Sequence, residues 1–344
     1  MNRPDIGAPA SLTLSPTEAT VAADLAHYVA ARFPAMDDPA LLRELPLLAT
    51  GLPDRVRRFL RDFSLDEYNG YCVIDGHVVD DDRIGATPEH WKGRARPGPE
   101  FAEEILLLLY GSLLGEPFGW ATQQNGHFVN DVFPIREYEN ERLGTGSKTP
   151  LTLHTEDAFH PYRADYVMLY ALRNPDHVPT IVAELDYSVF TGEDLDVLFS
   201  DRFRVVPDTS HLPKNNTIRS EADRAYFDSI EALMNGDRRA SLLFGSRSAP
   251  FLRFDESYMR PADDDPEAKR VYDLVGDELR ARRHDARVDA GALLILNNSR
   301  VVHGRSTFKA RYDGTDRWLK RVNVTTDLRK SAEMRGRLGP RLVG

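Results

Sequence analysis

Pro150-Leu151-Thr152-Leu153-His154-Thr155-Glu156 and, far downstream, Gly291-Ala292-Leu293-Leu294-Ile295-Leu296 followed by Asn298-Ser299-Arg300-Val301-Val302-His303-Gly304-Arg305 decide how this chain is read. The first stretch is β-branched and apolar up to His154, as a strand would be, and residues two apart on a strand project to the same side. His154 and Glu156 therefore form one half of a ligand set. The second stretch is a strongly apolar run that delivers His303. Two imidazoles and one carboxylate hold Fe(II) on one triangular face and leave the opposite positions open. Fourteen positions after His303 stands Arg317, then Trp318-Leu319-Lys320-Arg321, able to offer a guanidinium to a dicarboxylate. The alternative metals fit poorly. There is no His-Glu-x-x-His, and a single cysteine, Cys72, excludes a cysteine-based zinc site. Of the other nearby histidines, His160 precedes Pro161 and reads as a loop-ordering residue, while His127 sits on a separate strand.

Outward from these stretches the chain divides by texture. Residues 1–14 read as a loose tail. Ser15-Pro16-Thr17-Glu18 then opens a helix, with Ser15 as cap and Glu18 completing a capping box, and Ala22, Leu25, Ala26, Val29 and Phe33 form its apolar stripe. Helical patterns follow at 37–48, 53–63 and about 100–114, and a short strand at Tyr71–Ile74. Residues 1–115 are thus a mostly helical flank. From about 127 the chain turns strand-like, at 127–129, 151–154, 166–170, 180–183, 203–206, 242–244, 292–296 and 321–324. Strands without intervening helices of βαβ spacing predict a mainly β fold with flanking helices, built on a sandwich or jelly roll. The reading is one domain over 1–344, its core at 116–330. Insertions fall near 207–236, polar and placed to act as a lid, and near 258–286, with a helix from Asp265 to about Arg282.

Bulk properties narrow the function. Lys and Arg number 44 against 54 Asp and Glu, a net charge of −10, which opposes nucleic-acid binding. No run of 18 apolar residues exists and the N-terminus lacks a signal-peptide pattern, so neither membrane nor secretion is expected and the cytoplasm is the default. One cysteine fits a reducing compartment. The acidity serves solubility in the main, so a cationic ligand must be argued from particular carboxylates.

His154-Thr155-Glu156-Asp157-Ala158-Phe159-His160-Pro161, the stretch 297–305 and Arg317-Trp318-Leu319-Lys320-Arg321 resemble the clavaminate-synthase-like oxygenases, over about Ser15 to Asp327. That resemblance implies a double-stranded β-helix (jelly-roll, cupin-like) core and dependence on Fe(II), 2-oxoglutarate and O₂. It is greatest to the β-hydroxylases of free arginine and arginine-derived amino acids in peptide-antibiotic biosynthesis. It implies His154, Glu156 and His303 as metal ligands, and Arg317 as partner of the distal carboxylate of 2-oxoglutarate. Glu156 favours hydroxylation, since halogenating relatives lack that carboxylate. It further implies Arg321 for the substrate carboxylate and Gln123 for its amine, with Gln124 as the register alternative and Glu156 sharing the amine. Asp255 matches an acid that reads the basic side chain, but Ser257 stands where those relatives carry a second one, which leaves room for a cyclised guanidine such as enduracididine or capreomycidine. Asp208 in the insertion is a further candidate for the cationic end, and Asp157 reads as a loop-stabilising residue. A desaturase or ring-forming oxidase would share all these residues. A silent jelly-roll binding protein is the reading from another class, opposed by the open three-ligand set. The oligomeric state stays open.

Overall fold

The computed structural model describes residues 10–335 and 341–344. Its helical flank begins as the sequence predicts. Helix Pro16–Arg32 carries the Ser15–Glu18 capping box, and Ala22, Ala26, Val29 and Phe33 are buried along one face. Helices Pro39–Leu48, Asp54–Leu65 and Phe101–Ser112 follow, the last buried on nearly every side. The expected loose tail is corrected in part. Residues 10–13 form a strand parallel to Tyr71–Asp75, because an apolar Leu12 can enter the core there while the sheet edge takes up the backbone. Residues 1–9 of that tail lie outside the described residues.

Two sheets dominate. The larger runs in the order Ala10–Thr13, Tyr71–Asp75, Leu293–Asn297, Tyr166–Arg173, Trp318–Thr325, Glu116–Trp120, Leu342–Val343, with Val129–Val132 also paired to Trp318–Thr325. The smaller runs His284–Ala286, Thr180–Glu184, Val301–Arg305, Leu151–His154. Strand alternation explains how the layers pack. Along Tyr166–Arg173, Tyr166, Met168, Tyr170 and Leu172 turn toward the helices and join their core. Val167, Leu169 and Ala171 face the other way, in a core shared with Val182 and Val301 of the smaller sheet. A strand covered on both faces reads as one unbroken apolar run, as this one does. The outer face of the smaller sheet is covered by helix Pro266–Ala281 and the strands Leu243–Ser246 and Ala249–Leu252.

Several elements differ from the sequence reading. The strand placed at 127–129 begins only at Val129, because Gln124, Asn125 and Gly126 turn with positive φ. Glu116–Trp120 is a further strand, the distant strand expected to supply the third ligand is Val301–Arg305, and the polar insertion holds a helix, Glu221–Asn235. Gly291 takes φ +83°, and a Cβ there would stand 2.1 Å from the His77 carbonyl, so only glycine makes the turn into Leu293–Asn297.

Candidate active site

His154 ends its strand directly opposite His303, the two being register partners in an antiparallel pair. Their rings lie 4.3 Å apart between centroids. The strands approach closely because residue 304 is glycine. A Cβ there would sit 2.5 Å from the Leu151 carbonyl. Glu156 completes the group, its Oε2 3.5 Å from His154 Nε2 and 3.3 Å from His303 Nε2. The expected pleat does not aim it, since Glu156 lies beyond the strand end. Asn298 does so instead. Its Oδ1 accepts the Glu156 N–H (2.8 Å), and its Nδ2 donates to the Glu156 and Ala164 carbonyls (3.1 and 2.9 Å). Asp157 then turns away with φ 51°.

The donor set suits a divalent ion, with three ligand atoms within 4.8 Å of one another. His154 Nδ1 donates to the Thr152 carbonyl at 2.8 Å, which fixes the tautomer that presents Nε2 to the site. Burial alone would depress His154, but the Glu156 carboxylate outweighs it and holds the imidazole up to about 9. Burial and the neighbouring His154 push His303 down to about 4. A metal ion bound to His154 would take the place of a proton there.

The wall opposite the histidines is the strand Trp318–Thr325 and the residue before it. Arg317, Leu319 and Arg321 line the pocket. Arg321 donates to Glu156 Oε1, to Gln123 Oε1 (2.6 Å) and to Asn130 Oδ1 (2.9 Å). Gln123 thus meets Arg321 at the edge of the site, whereas Gln124 is tied to Asp131 and faces away from it. Arg317 is different. It is 6% exposed, its Nε has no partner, and no carboxylate lies within ion-pair distance of it among the described residues. Burial, with Arg305 nearby, depresses its guanidinium. Arg305 is itself spent on the carbonyls of Gly144, Gly146 and Thr149, which shapes the loop beside the pocket.

Two further carboxylates line the pocket. Asp255 bridges to His154 through the backbone, and its Oδ1 accepts the N–H groups of Ser257 and Tyr258 at 2.8 and 2.9 Å. Burial raises it to about 6 although His154 opposes the shift. Asp208 lines the same pocket from the insertion. Ser257 accepts from Arg142 Nη1 at 2.8 Å and contacts Thr152 Oγ1 at 2.6 Å. Asp157 accepts from the Trp120 indole at 2.6 Å and anchors its loop. His160 packs edge-on against Trp120 at 4.4 Å and accepts the Tyr162 N–H, outside the metal group. Asn298 and His211 are the residues that sequence reasoning missed. A buried asparagine right after a buried strand is a legible signal for the first, while nothing local marks the second.

Known proteins resemble this chain over nearly its whole length. Residues 198–323 match the model of the taurine catabolism dioxygenase TauD, TfdA family. An L-ornithine/L-arginine 3-hydroxylase from Catenulispora acidiphila is 40% identical over 332 residues, covering 94% of this chain and 96% of that protein. Enduracididine beta-hydroxylase from Streptomyces hygroscopicus is 38% identical over 318 residues, covering 90% and 93%. Among solved structures, the non-heme iron oxygenase OrfP with Fe, succinate and (3S)-hydroxy-L-Arg superimposes with a TM-score of 0.93 at 54% identity, covering 97% of this chain and 99% of that one. OrfP with Fe and alpha-ketoglutaric acid gives 0.89 at 50% identity, covering 98% and 100%. With its His-Glu-His group and its buried arginine, the chain belongs to the TauD/TfdA family, among the Fe(II)- and 2-oxoglutarate-dependent amino-acid hydroxylases.

Proposed function

We propose that this enzyme hydroxylates C3 of free L-arginine. The observation that carries this reading is the lining of one pocket: the His-Glu-His group, the guanidinium groups of Arg317 and Arg321, and the carboxylates of Asp255 and Asp208 all border it. In this reading His154, Glu156 and His303 hold the iron. Arg317 takes the distal carboxylate of 2-oxoglutarate in a bidentate pair, which would satisfy a buried cation that has no acid within ion-pair distance among the described residues. Arg321 receives the α-carboxylate of the amino acid, and Gln123 with Glu156 receives its amine. Asp255 and Asp208 take the guanidinium. The two sheets, whose facing sides share one core, close as the halves of a jelly roll within a single oxygenase domain.

When bound, iron with 2-oxoglutarate and O₂ supplies the oxidising power to replace one C–H of the substrate by C–OH, with succinate and CO₂ leaving. The protein's work is orientation. Charged contacts at both ends of the amino acid stretch it across the site, so that one carbon faces the open side of the ligand group. Leu169, Leu319 and Leu151 line the remaining wall and exclude water.

C3 is the position that the L-ornithine/L-arginine 3-hydroxylase oxidises and the position of the hydroxyl in the (3S)-hydroxy-L-Arg bound to OrfP. A cyclic arginine derivative is the second reading. It rests on Ser257, which accepts from Arg142 where a second acid would grip a linear guanidinium. Incubation of an amino-acid panel with enzyme, Fe(II) and 2-oxoglutarate, followed by mass spectrometry, tests the proposal. L-Arginine is expected to gain one oxygen with one succinate formed per turnover. Product from neutral amino acids alone would reject it.

A further inference from the structure

His211 is fully buried, yet it belongs to the polar insertion and not to either sheet. Its Nδ1 meets Thr122 Oγ1 at 2.7 Å, and its Nε2 lies 2.8 Å from Asp157 Oδ1, on the residue that follows Glu156. The same nitrogen stands 3.0 Å from the Gln123 amide and 3.8 Å from Asp208 Oδ2. Around the ring pack Phe159 at 4.9 Å and Trp120 at 5.6 Å. The turn it closes is short. Asp208 Oδ1 caps the Ser210 N–H at 2.8 Å, and Gln123 donates to Ser210 Oγ at 2.6 Å. Asp157, Asp208 and His211 are near enough together to suit a cation. Both Asp157 oxygens already accept, however, from the Trp120 indole and from the His211 ring. The three groups therefore make a polar link through the His211 ring. Burial would lower His211, but Asp208 and Asp157 outweigh it and raise it.

We infer that His211 is a positioning residue for substrate selection: it pins the Asp208 turn to the metal strand through Asp157, and so fixes the Asp208 carboxylate on the pocket wall where the cationic end of the amino acid lies. This rests on the proposed reading of a guanidinium substrate. The Asp208 carboxylate held in this way can meet a guanidinium, and a neutral side chain gains nothing from it. The effect of His211 must then pass through Asp208 and must depend on substrate charge.

A double-mutant cycle on the iron-loaded enzyme reads both properties. His211→Phe keeps the ring packing and removes the polar link; His211→Gln keeps a neutral donor and serves if the phenylalanine variant does not fold. The readout is the KM for L-arginine against the inhibition constant of L-citrulline, which carries a neutral urea in place of the guanidinium. Each variant is expected to cut the preference for arginine roughly tenfold in the native background, and no more than about twofold in an Asp208→Asn background. Equal weakening of arginine and citrulline, or the same loss in both backgrounds, would make His211 a packing residue and overturn the inference. If the native enzyme leaves arginine unreacted, the proposed function fails first, and that control separates the two failures.

Discussion

The strand Trp318–Thr325 and the residue just before it carry buried charge on both faces, and the two faces treat it differently. Toward the helices, Lys320 is wholly buried and its Nζ reaches Glu100, Glu104 and Asp131 at 2.8, 2.6 and 2.6 Å. Arg94 and Arg96 pair with the same carboxylates, and the Trp318 indole donates to Asp131 at 2.9 Å. Three cations meet three anions. Burial would raise Asp131, but Lys320, Arg96 and Arg94 hold it well below the usual carboxylate range. Toward the pocket, Arg321 pairs with Glu156, whereas Arg317, the residue just before the strand, is also buried and has no acid within ion-pair distance among the described residues. The Lys320 charge is neutralised where it stands, while that of Arg317 is left incomplete at a desolvation cost.

The largest expected effect falls on the pocket side. His154→Ala, Glu156→Ala or His303→Ala should each bring iron-dependent turnover below detection while near-ultraviolet circular dichroism stays native. Measurable hydroxylation by any one of them would remove that residue from the metal group. Next comes the helix side. Lys320→Met strands three carboxylates with two arginines and should cost about 3–5 kcal/mol of stability in a guanidinium titration. A loss below about 1 kcal/mol would mean that the network contributes little and the contrast is false. A smaller effect is expected at the far end of the pocket, where Asp255→Asn should weaken L-arginine about tenfold to a hundredfold, the range for hydrogen bonds to charged groups. An unchanged KM would take Asp255 out of guanidinium recognition.

The ligand triad and the two strand arginines were legible because their signals are local: a His-x-Glu after an apolar strand, a His-Gly-Arg after another, and an Arg four residues before a second Arg. Gly304 was in view as well, though its need to admit Leu151 emerges only with the paired strands. Lys320 looked like one more charge in an Arg-rich segment. Its acids come from positions 100, 104 and 131, a convergence that depends on which face of the strand meets the helix. Glu156 was placed correctly for the wrong reason, since Asn298 aims it and not the pleat. His211 sits in a stretch whose polarity predicts solvent exposure. Its burial follows from tertiary packing against Trp120 and Phe159, which no window of sequence contains.

The account stands on the unpaired guanidinium at position 317, and one titration addresses it. Anaerobic calorimetry of the metal-loaded enzyme with 2-oxoglutarate, native against Arg317→Met, should show affinity falling by tens-fold to thousands-fold, equivalent to about 2–5 kcal/mol for the loss of a buried charged partner. Guanidinium unfolding of the ligand-free variant should meanwhile show no loss of stability. Unchanged 2-oxoglutarate affinity, or a ligand-free protein destabilised as strongly as by Lys320→Met, would show that Arg317 belongs to the fold and would contradict the account.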